Sequence, residues 1–402
     1  MTVLLIGADG FIGRHIAFHL RAAGVDVIAQ TRTARLAAMG FATVQADLTD
    51  PATHDPAFWR PHLAGDLIYA AGLLTGSEAA FAAVHQHAPA ALLAALPPGC
   101  KAVLISAVGG TADTPFARWR RQTEAVFAGH AVLRPGLVLA DTSYGGSSLL
   151  RALAALPLRT PVVGDGRQRF NPVHAADLAG IAVEALTLPH PLLAEIGGEE
   201  TMTQAELVRL IRAWLGLRAQ PMLPVPLPVA RWAGRVGDAL RLGPISATAV
   251  DQLQGGVLAQ ADARFAARGV SAFVMARPAG TQDLWQARLY LLKPVVRLGL
   301  AALWLGSAAL GLLLPATAFP EVDAPVWLAR LAGLSDLGLG LALIRNLWPR
   351  AVGLLQLALA GGYTIGLTGL APGLWLDPYG GLLKNLPILV LILIHLVLAE
   401  ER

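Results

Sequence analysis

The sequence is poor in charged residues and almost lacks cysteine. Only 14% of its 402 residues are charged, against roughly 25% in an average soluble chain, which argues against a soluble enzyme along the whole length. The single cysteine, Cys100, has no partner for a disulfide within the chain, so a disulfide-stabilised scaffold is excluded. With 55% apolar residues, the chain has too much apolar surface to remain disordered.

Basic residues are neither abundant nor clustered. The 31 Lys and Arg residues exceed the 27 acidic residues by four, and no dense basic run occurs anywhere in the sequence. Proteins that follow a phosphate backbone carry such runs or patches, so nucleic acid is not expected as a partner. No metal site is predicted either.

The apolar excess is concentrated after residue 290. Membrane-spanning helices need about 20 predominantly apolar residues. No signal peptide is expected before them, because Gly7 interrupts the first apolar run and no basic segment precedes it. The sequence therefore predicts a multi-pass protein of the inner (plasma) membrane, with four spanning helices near 296–315, 326–344, 351–370 and 382–399.

Charges in the connecting segments predict the orientation in the membrane. Basic residues flank the first apolar segment and lie between the second and third, at Arg345 and Arg350. The other two loops, 315–325 and 371–381, contain no Lys or Arg. Because basic loops remain on the cytoplasmic side, we expect the N-terminal domain and the C-terminus to be cytoplasmic.

The first residues carry the pattern of a dinucleotide-binding turn. An apolar run over 2–6 predicts a β-strand, Gly7, Gly10 and Gly13 follow, and a helical pattern leads to a second strand at 25–29. In such turns the first glycine permits the bend, the second lets the backbone approach a pyrophosphate, and the third allows close packing. The following helix offers free N–H groups to the phosphates. A glycine turn that no longer binds nucleotide is the alternative.

The end of the second strand favours NADP(H) over NAD(H). NAD-selective sites place an acidic residue about 20 positions after the glycines, but this chain reads Gln30-Thr31-Arg32-Thr33 at that point. An arginine there accommodates a 2′-phosphate. We expect Arg32 to have this role, with a solvated loop charge as an equal alternative.

In chain order, these motifs resemble the extended and atypical branches of the short-chain dehydrogenase/reductase superfamily. The glycines are spaced GxxGxxG, Leu133–Val138 is similar to the strand and turn that open the substrate loop, and two further signatures fall within 161–178. The resemblance covers 1–285. It implies a doubly wound parallel-sheet Rossmann domain of the α/β class, with a small substrate lobe mainly from 140–170 and 190–285. Besides Arg32, the residues that it assigns to the cofactor site are Gly7, Asp9, Gly10, Phe11, Ile12, Gly13, Asp47, Leu48, Ala70, Ala71, Gly72, Arg120 and Pro135.

The expected catalytic centre departs from the family pattern. Active members use a Ser and a Tyr-x-x-x-Lys, in which the phenol exchanges a proton with the substrate. Ser106 occupies the serine position, whereas Phe116 and Arg120 occupy the Tyr and Lys positions. Phenylalanine has no proton to donate and arginine does not relay one. Either Tyr144 or Tyr69 supplies the proton, or the substrate needs little acid catalysis, or the domain only holds a cofactor.

The C-terminal part is similar to the DoxX-like family of four-helix membrane proteins. The segment Asp377–Pro387 carries the resemblance, which covers 291–402 and implies an all-α four-helix transmembrane bundle. Ionisable groups within a bilayer are rare and often functional. Asp336 lies in the middle of the second predicted helix, and we expect it to hold the bundle together, with Lys384 as its candidate partner.

Two functions are compatible with these patterns. The first is a membrane-bound NADP(H)-dependent oxidoreductase acting on a lipophilic substrate such as a quinone, an isoprenoid or a lipid carbonyl. The second is a non-catalytic nucleotide-binding module for assembly or sensing, similar to the NADPH-holding accessory subunit of respiratory complex I. Phe116 favours the second, whereas Ser106 and the complete glycine turn favour the first. A protein partner within the membrane is compatible with both.

Overall fold

The computed structural model describes residues 2–73, 76–108, 114–243, 245–315, 317 and 325–400. Most of the predicted 315–325 loop lies outside these ranges. The chain divides into two compact units. The first comprises Met1–Gly234 and Ala247–Asp283, and the second comprises Arg235–Ser246 and Leu284–Arg402.

The first unit is built on a parallel sheet of seven strands in the order β11-β6-β5-β4-β1-β2-β3. This includes the 3-2-1-4-5-6 order of a Rossmann fold, so the predicted fold is confirmed. The strands of the unit are β1 (Thr2–Ile6), β2 (Asp26–Thr31), β3 (Ala42–Gln45), β4 (Asp66–Tyr69), β5 (Ala102–Ile105), β6 (Ala131–Pro135), β7 (Val138–Leu139), β8 (Thr160–Val163), β9 (Arg169–Phe170), β10 (Val173–His174), β11 (Leu192–Ile196), β12 (Met202–Thr203) and β13 (Met222–Val225).

Helices cover both faces of this sheet. Alternate residues of a strand point to opposite faces, so Val3 and Leu5 of β1 pack into one apolar core while Leu4 and Ile6 pack into another. Burial on both faces explains why β1 and β5 are continuous apolar runs without alternation. The helices of the chain, in order, are α1 (Phe11–Ala22), α2 (Arg35–Ala38), α3 (Pro56–Trp59), α4 (Glu78–Ala82), α5 (Ala88–Ala95), α6 (Pro115–Val126), α7 (Gly146–Ala154), α8 (Ala175–Ala185), α9 (Gln204–Trp214), α10 (Leu227–Ala239), α11 (Ala247–Gly255), α12 (Val270–Val274), α13 (Thr281–Leu313), α14 (Val326–Ile344), α15 (Pro349–Leu370) and α16 (Asn385–Leu398).

A smaller lobe of short strand pairs follows the main sheet. Strand β7 pairs with β10, β8 with β13, and β9 with β12. His174, at the end of β10, caps α8 by accepting a hydrogen bond from the Ala176 N–H, at 3.2 Å. Asp177 forms an ion pair with Arg268 at 2.8 Å. Both side chains therefore have structural partners at the start of α8.

The second unit contains α13 to α16. Three of these helices, α13, α14 and α15, are long and apolar enough to cross a membrane. The predicted fourth span over 382–399 differs, because the α-helix begins only at Asn385, after a 3-10 turn at Leu382–Lys384. Its 14 residues extend about 21 Å, which is shorter than the roughly 30 Å hydrocarbon core. Residues 235–246 also belong to this unit, where the Arg241 guanidinium donates to the Arg345 carbonyl at 3.1 Å.

Small residues bring α13 and α14 together. A Cβ on Gly311 would lie 3.1 Å from the Gly333 Cα, and one on Gly340 would lie 2.6 Å from the Leu305 side chain. A Cβ on Gly362 or Gly366, which are one helical turn apart on α15, would meet open space. Glycines at these positions therefore permit the close approach of α13 and α14.

The buried Asp336 side chain has hydroxyl partners and not the expected lysine. The Ser307 hydroxyl donates to its carboxylate at 2.6 Å and the Tyr363 hydroxyl donates at 3.0 Å. The pairing with Lys384 is therefore wrong, because Asp336 lies mid-helix whereas Lys384 lies in the turn before α16. A carboxylate that receives two hydrogen bonds joins α13, α14 and α15 without a cation.

Candidate nucleotide-binding site

The glycine turn lies where β1 and β4 are neighbours, at the point where the strand order reverses. Gly7 has φ +76°, which favours glycine, and a Cβ on it would lie 2.7 Å from the Ala71 nitrogen. A Cβ on Gly13 would lie 2.1 Å from the Gly7 carbonyl oxygen. The carboxyl ends of the strands at such a reversal form the ligand crevice of open α/β sheets.

The N-terminus of α1 is open to an anion. Gly10 caps it with an extended backbone (φ −71°, ψ 168°), no side chain caps its N–H groups, and no acidic residue lies in its first turn. Other helices of the unit, including α6 with Thr114 and α9 with Thr203, are capped by side-chain oxygens. The first N–H groups of a helix, here those of Phe11 and Ile12, have no intrahelical partner, and helix N-termini of this kind are suited to bind an anion.

The side chain of Gln30 fixes the glycine turn, a role that the sequence analysis missed. The Gly7 N–H donates to its Oε1 at 2.8 Å, and its Nε2 donates to the Ala46 carbonyl at 2.6 Å. Gln30 is only 3% exposed. A polar residue in a strand that is otherwise buried is the signal that would have identified this role, because buried polar groups almost always have hydrogen-bond partners.

Asp9 holds the loop after β2, which contains Arg32. Its Oδ2 accepts hydrogen bonds from the Arg32 and Thr33 N–H groups, both at 3.2 Å, and from the Thr33 hydroxyl at 3.0 Å. The Arg32 side chain is exposed. Asp9 therefore contacts protein donors, and it places Arg32 at the end of β2, where the coenzyme ribose lies in such folds.

Asp47 and Leu48 follow β3 at the same edge of the sheet. The Asp47 carboxylate accepts from the N–H and the hydroxyl of Thr49, at 2.9 and 2.8 Å. These two hydrogen bonds, and more weakly the charge of Arg32, lower the pKa of Asp47. Leu48 is buried. Asp47 is thus held as an exposed carboxylate and Leu48 as an apolar surface below it.

Strands β4 and β2 flank β1 on its two sides, so the turn after β4 borders the glycine turn on the side away from β2. The Ala70 N–H donates to the Ile6 carbonyl at 3.0 Å, and Gly72 is exposed. His85 supports this turn, because its Nε2 accepts from the Leu73 N–H at 3.2 Å. Its Nδ1 lies 2.8 Å from the Thr123 hydroxyl. Since that hydroxyl donates to the Trp119 carbonyl, the ring must donate from Nδ1 and is neutral.

His85 makes the stability of the first unit depend on pH. Burial lowers its pKa from 6.5 to about 4. The unfolded chain takes up a proton below pH 6.5 and the folded chain does not, so stability is complete above 6.5 and falls as the pH decreases toward 4. We expect a loss of about 3 kcal/mol over this interval, measured by urea denaturation in detergent. His85→Gln, which keeps a donor and an acceptor, should flatten the profile, and an unchanged profile would contradict this role.

The residues at the expected catalytic positions form an ion-pair network. The Ser106 hydroxyl, after β5, donates to the Glu124 carboxylate on α6. Arg134 donates to the same carboxylate through Nε at 3.1 Å and a terminal nitrogen at 2.5 Å. Arg120 approaches it at 4.0 Å. The structure therefore brings Ser106 to Glu124, which the sequence analysis did not assign to the site.

Phe116 and Arg120 contact each other across one turn of α6. The Arg120 guanidinium lies 5.4 Å from the centre of the Phe116 ring and donates to the Val108 carbonyl at 3.2 Å. Arg120 is 8% exposed, and burial lowers its pKa, against the opposing charge of Glu124. Pro135, buried at the end of β6, accepts from the Val108 N–H at 2.8 Å. This arrangement orders the turn beside the site and supplies no acid.

Neither alternative phenol lies in the position of the missing tyrosine. Tyr69 is fully buried, donates to the Val84 carbonyl at 2.5 Å, and has its pKa raised by burial. Its proton is therefore not available to a substrate. Tyr144 is 54% exposed and its ring lies 6.3 Å from that of Phe11. Its hydroxyl is thus placed near the start of α1. In the described ranges, no cluster of three metal-ligating side chains occurs.

Two family models match this chain. Residues 3–87 match the NAD dependent epimerase/dehydratase family, and residues 295–393 match the DoxX-like family. The matches confirm the resemblance of the N-terminal part to extended dehydrogenase/reductases and that of the C-terminal part to DoxX-like proteins. No curated protein matches the chain by sequence.

Several solved structures are similar to part of this chain. A human epimerase family protein with NADPH is 20% identical over 73% of this chain and 99% of its own, with a TM-score of 0.47. UDP-glucose 4-epimerase of Thermus thermophilus with NAD is 19% identical over 72% and 98%, with a TM-score of 0.46. dTDP-glucose 4,6-dehydratase of Bacillus anthracis with NAD is 17% identical over 56% and 84%, also with a TM-score of 0.46. The cofactors named here belong to those structures.

Proposed function

We propose that this chain is a membrane-anchored oxidoreductase that binds NAD(P)(H), prefers NADP(H), and acts on a lipophilic substrate. The observation that carries the nucleotide part is the uncapped N-terminus of α1 beside the Gly7 turn. An anion at this point satisfies free N–H groups and the positive end of the helix dipole. The pyrophosphate of a dinucleotide has this chemistry.

The residues of the first unit fit a dinucleotide. Gly10 and the first N–H groups of α1 would hold the pyrophosphate, and Arg32, exposed at the end of β2, would pair with a 2′-phosphate. When bound, the nicotinamide supplies a hydride. Asp9 and Gln30 position the two loops around the coenzyme through the hydrogen bonds described above.

The missing phenol limits the substrate class. With Phe116 at the tyrosine position and Ser106 engaged by Glu124, the protein offers no acid for an isolated ketone. A quinone, or another conjugated carbonyl, delocalises the negative charge that it gains with the hydride. It then takes its proton from water. The proposed substrate is therefore an electron-poor lipophilic acceptor, which a membrane protein meets in the bilayer.

The membrane anchor orients the nucleotide domain in this proposal. Helices α13, α14 and α15 have the length and composition of spans. We infer that α16, with its preceding turn, completes a four-helix bundle. Arg345 follows α14 and Arg350 lies in the first turn of α15. The positive-inside rule assigns this connection, and with it the nucleotide domain, to the cytoplasm.

A non-catalytic NADPH-binding role in membrane assembly or sensing is the second candidate. Two observations support this role. Ser106 is hydrogen-bonded to Glu124, and Phe116 stands at the position of the family's catalytic tyrosine. One experiment separates the candidates. The detergent-purified protein is titrated with NADPH and NADH, and NADPH oxidation is then followed with a water-soluble quinone. Binding with turnover supports the oxidoreductase, binding without turnover supports the second role, and no binding contradicts both.

The preference for NADP(H) depends on Arg32. Because a hydrogen bond between charged groups contributes about 1.5–3 kcal/mol, we expect Arg32→Gln to weaken NADPH binding roughly tenfold to a hundredfold and to leave NADH binding unchanged. Arg167→Gln, at a side chain that is 86% exposed in the smaller lobe, is the matched control. Equal loss of both coenzymes, or loss of neither, would contradict the assignment.

A further inference from the structure

Buried side-chain nitrogen atoms without hydrogen-bond partners occur on three helices of the bundle. They are Arg297 Nε on α13, Gln356 Nε2 on α15 and both ring nitrogens of His395 on α16. These three side chains are 5%, 0% and 3% exposed. An unsatisfied buried polar group destabilises the protein, and more so where water is excluded. From these unpartnered N–H groups we propose that the bundle binds an anionic oxygen group, a phosphate or a carboxylate, between these helices.

The helix register brings Gln356 and His395 together. Helices α15 and α16 are antiparallel, since a Cβ on Gly353 would meet the Leu396 side chain at 2.4 Å and Asn385 donates to the Thr364 hydroxyl at 2.9 Å. Along this register Gln356 and His395 are separated by less than one helical turn, which rises 5.4 Å. Both side chains are buried, so they face the same interior.

Each of the three side chains has one unpartnered N–H donor, and His395 has in addition an acceptor nitrogen when its ring is neutral. The Trp304 N–H donates to the Gln356 Oε1 at 2.9 Å, which leaves the amide NH₂ of Gln356 directed elsewhere. Arg297 uses one terminal nitrogen on the Leu240 carbonyl, at 2.5 Å, and its Nε–H remains. His395 supplies a ring N–H in either tautomer. Three donors from three helices match an oxygen acceptor and not a cation.

The Arg297 guanidinium places a positive charge among these helices. Arg297 and Lys293, one turn apart on α13, both act on His395 electrostatically. The carboxylate of Asp336 is already engaged by Ser307 and Tyr363, and Glu400 pairs with Arg350 at 3.2 Å. A buried guanidinium needs a compensating anion. Basic pockets between transmembrane helices commonly bind acidic lipid head groups, and a free anion offers the same chemistry.

The test uses the full-length protein in neutral detergent after removal of lipid. Thermal unfolding and native mass spectrometry are measured with phosphatidylglycerol, with phosphatidylcholine and with inorganic phosphate. We expect phosphatidylglycerol or phosphate to raise the melting temperature and phosphatidylcholine to leave it unchanged. A shift with phosphatidylglycerol alone identifies a lipid head group, and a shift with phosphate identifies a free anion. No shift with either anion would overturn the proposal, since internal water alone would then satisfy the donors.

Two variants test whether the anion binds at Arg297 and His395. We expect Arg297→Gln to weaken anion binding roughly tenfold to a hundredfold, the loss of one charge-assisted hydrogen bond. His395→Leu removes both ring nitrogens without leaving a polar group, so it should fold at least as well without lipid and lose most of the anion-dependent shift. Arg350→Gln removes a positive charge whose side chain is 67% exposed and serves as the control. Equal anion dependence in Arg297→Gln, His395→Leu and the wild type would contradict the site.

Discussion

Gly10→Asp should abolish nucleotide binding while the protein remains folded. Gly10 has an extended, unstrained backbone, and an added Cβ would meet only the Gly7 carbonyl oxygen, at 3.0 Å. Aspartate is also a favourable residue at a helix N-cap. Its carboxylate would occupy the N–H groups that we assign to the pyrophosphate and would repel it by roughly 4 kcal/mol if about 4 Å away. The affinity for NADPH and NADH should therefore fall at least about a hundredfold, measured by titration calorimetry.

Two further glycine variants separate binding from folding in this prediction. Gly13→Ala should impair both nucleotide binding and folding, because its Cβ would lie 2.1 Å from the Gly7 carbonyl oxygen. Overpacking of this kind costs about 1–3 kcal/mol in stability. Gly129→Asp adds the same charge in open space and should change neither. If Gly10→Asp bound NADPH as tightly as the wild type, the α1 N-terminus would not be the phosphate site.

Local patterns were sufficient to predict the sheet and the glycine turn. The strand predicted over 2–6 is β1 (Thr2–Ile6), and the strand predicted over 25–29 is β2 (Asp26–Thr31), because each apolar run is bounded by turn-forming or polar residues. The glycine turn was predictable for the same reason. The requirement at Gly7 and Gly13 is steric and depends on residues close in sequence or on the adjacent strand.

Contacts between distant side chains could not be predicted in this way. Gln30 reaches the turn before it and the end of the next strand, and His85 joins a turn to Thr123, which is 38 residues away. Asp336 was predicted to be buried, but its partners Ser307 and Tyr363 lie on two other helices. Which side chains hydrogen-bond to each other depends on the register between the helices, and hydropathy alone does not determine this register. The position of Ser106 was predictable, whereas its engagement by Glu124 was not.

Glu124→Ala should be among the most destabilising single changes in the nucleotide domain. Glu124 accepts from Ser106 and from two nitrogens of Arg134, and these bonds raise the pKa of Arg134. The Glu124 side chain is 12% exposed, so its removal leaves Arg134 and the buried Arg120 without their carboxylate. Loss of one partner of a buried pair costs about 3–5 kcal/mol. Arg134 is partly exposed, so we expect about 3 kcal/mol, measured by urea denaturation in detergent.

An exposed ion pair between α6 and α4 provides the control for Glu124. Arg118 lies 3.4 Å from Glu78, with side chains 50% and 67% exposed, so Arg118→Gln should cost about 0.5 kcal/mol or less. Glu124→Gln should fall between the two, because an amide still accepts from Ser106 but carries no charge for Arg134. If Glu124→Ala were as mild as Arg118→Gln, the network would not be a structural replacement for the family's catalytic pair. Ser106 would then be available to a substrate, which would favour the oxidoreductase over the non-catalytic role.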